Sequence, residues 1–146
     1  MRKPHPSKKA DPKAPLWLYG RHAVAAALAN PIRHQHQLLA TKNALDWLVE
    51  KGHPIPIEPV KPEVLDQALP KGAVHQGLAI RVNPLPDYTL EMIDASAGPV
   101  LVLDQVTDPQ NIGALFRIGA AFGVKAHIPQ DRRTHPLSGA LAKAAL

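Results

Sequence analysis

Asp104, Gln105, Thr107, Asp108 and Asn111 crowd one polar stretch, and Arg117 follows within two helical turns. They stand directly behind the apolar run Val100 to Leu103. Its length and its β-branched and leucine content suit a buried strand. Polar groups just past a strand occupy the place where open α/β sheets bind ligands. Asp108-Pro109 opens a helix, since a carboxylate caps free N–H groups and proline is tolerated at the first helical position. The helix is expected to reach about Phe122 and to stop at Gly123. Ile112, Leu115, Phe116, Ile118 and Phe122 give it an apolar side. Gln110, Gly113, Arg117 and Ala121 fall on another side at three- or four-residue spacing. A long cation on a face made small by Gly and Ala has room for a ligand to approach. The plainer reading makes Asp108 a cap, Asn111 a first-turn residue and Arg117 a solvated charge. No Gly-rich phosphate cradle is present, neither GxGxxG nor GxxxxGK[ST].

The elements that must position these groups form a strand–loop–helix–strand unit, with Val124 to Ile128 as the second strand. That order implies a parallel pair. Before it, residues 16–83 read as a small α/β unit. Leu16 to Gly20 brings the chain into order. Arg21 to Ala29 is alanine-rich and helical, ended by Asn30-Pro31. Gln37 to Thr41 reads as a strand. Lys42 to Lys51 is a helix with Leu45, Leu48 and Val49 at helical spacing. Ile55 to Val60 is a further strand, with prolines that suit an edge. Pro62 to Leu69 is a short helix and Gly77 to Val82 a final strand. Residues 84–98 read as a linker, with a helical turn at Leu90 to Ala95. The fold class is α/β, in two or three layers.

LDQVTDPQNIGALFRIGAAFGV, residues 103–124, resembles motif 1 of the SpoU/TrmH branch of the SPOUT RNA methyltransferases. LYGRHAVAAALAN, residues 18–30, and VHQGLAI, residues 74–80, resemble the opening and closing segments of the substrate-binding domain that precedes many of them. The resemblance covers about residues 16–146. It implies transfer of a methyl group from S-adenosylmethionine to a ribose 2′-hydroxyl. By resemblance Arg117 is the catalytic arginine and Asn111 the motif asparagine beside it. The N-terminal domain is implied to be L30e-like and RNA-binding, with Arg21, His22, His75 and Gln76 as candidate RNA contacts. All four can donate to phosphate or to exposed base edges. For His75 a capping or core role stands beside this. By resemblance the two-domain layout implies ribosomal RNA of the large subunit and a guanosine; the complete enzymes of the family pair their knotted domains as homodimers, a surface largely missing here.

Four divisions follow: a tail over 1–15, the RNA-binding domain over 16–83, the linker over 84–98 and the methyltransferase portion over 99–146. Only motif 1 has a counterpart. Motifs 2 and 3, which in the family form the trefoil knot and hold the cofactor, have none, so no cofactor-binding residue is assigned. Residues 99–146 fall well short of a typical domain of about 100–150 residues. After Ile128 the resemblance implies a loop and a helix over Leu137 to Ala145. The chain is expected to be the front portion of an enzyme, inactive alone, with an exposed strand edge and unburied apolar helix faces. A non-enzymatic RNA-binding module is the competing reading, and a small-molecule α/β domain a third.

Composition bounds these readings. Hydrophobic residues at 45% suffice for a core, and the formal charge is +5. Arg2, Lys3, Lys8, Lys9 and Lys13 stand against Asp11 alone, so the excess charge is concentrated in the tail. With Pro4, Pro6, Pro12 and Pro15 and few apolar residues, that tail reads as disordered. It holds polyanions by counterion release or serves only as a solubilising leader; Lys3, Lys8 and Lys9 are its candidate RNA contacts. Six aromatic residues do not cluster along the chain, so no stacking platform is expected. The absence of cysteine excludes disulfides, thiolate zinc sites and a cysteine nucleophile. His34 and His36 lack a third ligand, so no metal is expected. No membrane span or secretory signal is evident, and the expected location is the cytoplasm.

Overall fold

A computed structural model describes residues 14–86 and 89–129. Lys3, Lys8 and Lys9 of the tail and the helix expected over Leu137 to Ala145 lie outside the described residues.

The first sheet has three antiparallel strands in the order β1, β3, β2: β1 is Leu16–Tyr19, β2 Gln35–Ala40 and β3 Leu78–Val82. β3 is central because both flanking strands hydrogen-bond to it, Leu18 and Leu38 each facing Ile80. Its composition fits that place: Leu78, Ala79, Ile80 and Val82 are buried and only Arg81 reaches solvent. The helices α1 (Arg21–Ala29) and α2 (Lys42–Glu50) cover one face. Val24, Ala27, Ala44 and Leu48 pack there on Leu18, Leu78, Ile80 and Val82. The alanines let both helix backbones approach the sheet closely. The helix α3 (Pro62–Ala68) covers the other face, where Leu65 and Leu69 meet Tyr19, Leu39 and Ala79. The result is a three-layer sandwich with β3 at its centre.

Helix ends follow local chemistry. Gly52, at φ +84°, closes α2: His53 N–H donates to Leu48 carbonyl at 2.8 Å and Gly52 N–H to Val49 at 3.0 Å. These 6→1 and 5→2 bonds satisfy carbonyls that the helix leaves open. The stretch Ile55 to Val60, expected as a strand, is not one. Pro54, Pro56 and Pro59 remove donors that a ladder needs, and the segment keeps a single bond to the sheet, Val60 N–H to Ala40 carbonyl at 2.8 Å.

The second sheet holds β4 (Val100–Leu103) and β5 (Ala126–Pro129), paired in parallel with Val100 opposite Ala126 and Leu103 opposite Pro129. Between them runs α4 (Pro109–Ala121). Its start matches the expectation: Asp108 Oδ1 accepts from Gln110 N–H at 3.0 Å, with Pro109 in the first turn. Its face does not. Ile112, Gly113 and Gly119 are buried, whereas Ile118 is 53% and Phe122 79% exposed. The seam against the sheet is set by close approach at Gly119, where an added Cβ would land on the His127 ring. Gly113 therefore belongs to the packed side rather than to an open face beside Arg117. The linker carries two short 3₁₀ turns, Leu90–Met92 and Ala95–Ala97.

Candidate functional site

Two places gather groups of chemical interest. The first is the end of the three-stranded sheet where β1 and β2 finish and β3 begins. Antiparallel pairing brings the starts of α1 and α2 and the turn before β3 to this one end. Gly20, at φ +90°, turns the chain from β1 into α1 and donates its N–H to Leu78 carbonyl at 3.0 Å. Thr41 N–H donates to Gly77 carbonyl at 2.8 Å and leads into α2. Val60 N–H on Ala40 carries the start of α3 to the same end.

Arg21, His22, His75 and Gln76 all lie here. His75 and Gln76 spend polar atoms on the fold. Gln76 sits at φ +53°, a region few non-glycine residues enter, and its Oε1 accepts from Arg21 N–H at 3.1 Å. The His75 Nδ1 accepts from Gly77 N–H at 3.0 Å, which leaves Nε2 to donate to Asp66 Oδ1 at 3.2 Å. That ring is braced between the turn and α3, and its side chain is only 15% exposed. Arg21 and His22 keep their side chains at the surface, Arg21 half-buried and His22 exposed.

Sequence reading missed three neighbours. Lys42 and Lys61, with Asn43, border a hollow of ≈ 370 Å³ between the starts of α2 and α3. No side chain caps the N-terminus of α2 or α3, while at α1 Gln76 Oε1 takes the Arg21 N–H. Free N–H groups, the positive helix ends and three cations at one end of a sheet suit phosphate. The third neighbour is Trp47. Arg21 Cζ lies 5.4 Å and Lys51 Nζ 6.0 Å from its ring centre, and the His22 ring meets it edge-on at 6.0 Å. The aromatic residues are scattered in sequence, so only the packing of α1 against α2 reveals this group.

The second place is the carboxyl end of β4 and the loop to α4. Asp104, Gln105, Thr107 and Asp108 are exposed there, with Gln105 at φ +57°. Asn111 is exposed in the first turn of α4. Arg117 is exposed six residues on and takes part in no ion pair among the described residues. Helix geometry puts the two about 9 Å apart along the axis and about 120° apart around it.

His34 and His36 stack at 4.7 Å beside the bulge in β2, and His36 Nε2 donates to Asn83 Oδ1 at 2.6 Å. The described residues contain no group of three metal-ligating side chains. None of the described helices is long and apolar enough to cross a membrane. Burial holds the Arg33 guanidinium below its ordinary pKa, and its Nη1 donates to Asn83 carbonyl at 3.0 Å.

Comparison with known proteins matches both units. Residues 17–88 match the family model for RNA 2′-O ribose methyltransferase substrate binding, and residues 98–146 that of the SpoU rRNA methylase family. Among curated relatives, 23S rRNA (guanosine-2′-O-)-methyltransferase RlmB of Haemophilus ducreyi is 35% identical over 79% of this chain and 51% of its own length. The enzyme of that name in Escherichia coli is 36% identical, with 79% of this chain and 52% of the relative covered. The Vibrio cholerae protein of that name is 35% identical over 88% of this chain and 56% of the relative. The chain spans about half the length of the curated relatives it matches.

Proposed function

Since the chain belongs to the SpoU family of RNA methylases, we propose that it serves transfer of a methyl group to a ribose 2′-hydroxyl of RNA, specifically a guanosine of large-subunit ribosomal RNA. One observation carries the reading: the motif residues Asp108, Asn111 and Arg117 stand on the loop and helix that join two parallel strands, with Asn111 and Arg117 exposed. The methyl donor in this proposal is S-adenosylmethionine, whose sulfonium makes the methyl carbon electrophilic. No residue described here is assigned to hold it.

The residues of the chain then have separate tasks. A guanidinium stays protonated at neutral pH, so Arg117 acts as a fixed cation rather than a base. It orients the ribose or its phosphate and favours the oxyanion that develops as the hydroxyl attacks. Alignment is the main requirement of an in-line transfer, and holding both reactants in register supplies much of the rate. Asn111 anchors the neighbouring ribose or the loop, and Asp108 fixes the start of α4. The end of the first sheet, with Arg21, His22, Lys42 and Lys61 around the turn at His75 and Gln76, takes the RNA backbone.

An L30e-like first domain over 16–83, a linker over 84–98 and the opening of a knotted domain over 99–146 complete the proposal. So do the basic tail as a second RNA contact, a homodimer of the whole enzyme, and a cytoplasmic site of action. The test is methyl transfer from labelled S-adenosylmethionine to a large-subunit RNA transcript, read by mapping the 2′-O-methyl position. Arg117→Ala, made in a relative of full length, should abolish transfer while RNA affinity holds within about twofold. Retained turnover would remove Arg117 from the chemistry. RNA binding by this chain without transfer would favour the binding-module reading.

A further inference from the structure

Trp47 is half-buried on α2, and its indole N–H has no partner among the described residues. Around its ring stand Arg21, His22 and Lys51, none in an ion pair within the described residues. The arrangement arises from two helical spacings. Arg21 and His22 open α1, while Lys51 caps the C-terminus of α2 four residues after Trp47, which brings it to the same face. Ala44 and Leu48, both fully buried, seal α2 to the sheet, and one part of the Trp47 ring packs against the same cluster while the rest stays open to solvent. Cation–π contacts at an exposed site stabilise by only about 0.5–1 kcal/mol, so fold stability alone does not account for unpaired cations around one ring.

We propose that Trp47 is a stacking site for an unpaired RNA base, with Arg21 and Lys51 holding the adjoining phosphates. The inference rests on RNA being the ligand of the first domain and names where a single-stranded nucleotide sits on it. Every base offers a π-face to an indole, so the site discriminates single strand from duplex rather than one base from another. Single-stranded segments are also where proteins reach unstacked bases in RNA. The exposed ammonium of Lys51, on a flexible stem, gives way over the ring and turns to phosphate. The His22 ring stands nearly perpendicular to the indole, at 87° with centroids 6.0 Å apart. Trp47 thus fixes the RNA beside the phosphate-suited end of the sheet.

The experiment uses the whole chain and oligouridylate as the probe. The chain has two tryptophans, so Trp17→Phe leaves Trp47 as the only indole emitter. Stacking predicts saturable quenching of that emission, at the same midpoint as the anisotropy of a labelled oligouridylate. Trp47→Ala should weaken binding roughly 5- to 140-fold, the equivalent of about 1–3 kcal/mol per stacked base at 1.4 kcal/mol per tenfold. Trp47→Phe should recover most of that loss. Arg21→Gln and Lys51→Gln should each lower the salt slope by about 0.7, as expected for one phosphate contact on a single strand. Binding without quenching, or binding unchanged in Trp47→Phe and Trp47→Ala alike, overturns the stacking site and leaves the RNA reading intact. Should Trp47→Ala fail to fold, quenching and the Trp47→Phe affinity decide. No binding of any RNA by the wild-type chain overturns the RNA reading and the stacking site together.

Discussion

Replacing Gly77 with alanine tests the turn that gathers the first site. Gly77 sits at φ +78°, and a Cβ there would fall on Thr41 Oγ1, with Ala44 Cβ and Thr41 Cγ2 each at 3.4 Å. Two costs add. The left-handed conformation costs an L-residue about 1–2 kcal/mol. Forcing a methyl into a filled space costs about 1–3 kcal/mol more. Gly72 provides the control: its φ is +82° and nothing lies within 4 Å of its Cβ position. Gly72→Ala thus bears the conformational cost alone, and the difference between the two variants isolates the steric part. Gly77→Ala should lose about 2–5 kcal/mol and Gly72→Ala about 1–2 kcal/mol, in a domain whose total is typically about 5–15 kcal/mol. Urea unfolding monitored by circular dichroism reads both, since the slope is about 1–3 kcal/mol per molar for small proteins and the midpoints separate accordingly. Thr41→Ala in the Gly77→Ala background should return the steric share, because the atoms in the way are gone. Equal losses in the two glycine variants, within about 0.5 kcal/mol, would refute the close contact between this turn and the start of α2.

Two other predictions concern the second unit and its approach. Asp108→Ala removes the carboxylate that accepts from Gln110 N–H; it should destabilise α4 by about 1 kcal/mol, seen as roughly fivefold faster amide exchange in its first turn, and unchanged exchange would show that the cap is idle. Asp94 Oδ1 accepts from Ser96 Oγ at 2.5 Å and from its N–H at 3.0 Å, and these bonds hold its carboxyl below the ordinary pKa of 3.8. Because the folded pKa is depressed, the turn it closes keeps its support at neutral pH and loses it as pH falls through the lowered value. The Ser96 amide shift followed by NMR should therefore titrate below 3.8, and a midpoint above it would contradict the assignment.

Much of the scaffold was legible because its signals are local. Arg21–Ala29 shows its ends in Gly20 and Asn30-Pro31, and Asp108-Pro109 announces α4 by chemistry confined to one turn. The strand expected over Ile55 to Val60 failed because proline removes donors however apolar the stretch is. The seam of α4 was misjudged for a different reason. Apolar size pointed to Ile112, Leu115 and Phe116, which do pack, but equally to Ile118 and Phe122, which lie exposed, while His127 fills the space above the missing side chain of Gly119. Small residues mark close approach only once the partner is known. The site divides in the same way. Arg117 and Asn111 stand out as candidates in one continuous motif. Trp47 does not, because residues 21, 22, 47 and 51 meet only through tertiary packing.

The hydrophobic interior is unevenly shared. Around β1 to β3 two clusters of buried side chains seal both sheet faces, whereas among the described residues β4, α4 and β5 close on only Leu103 and Ile112 as fully enclosed members. Cooperative opening follows buried apolar area, so the chain has two thresholds rather than one. The region from Val100 to Pro129 is expected to open at lower free energy than the three-stranded sheet, read by faster amide exchange. Proteases will find it first, leaving a resistant core near residues 16–82. The part proposed to hold RNA is thereby the durable one, and the part proposed to act on it is the one whose order other contacts can tune.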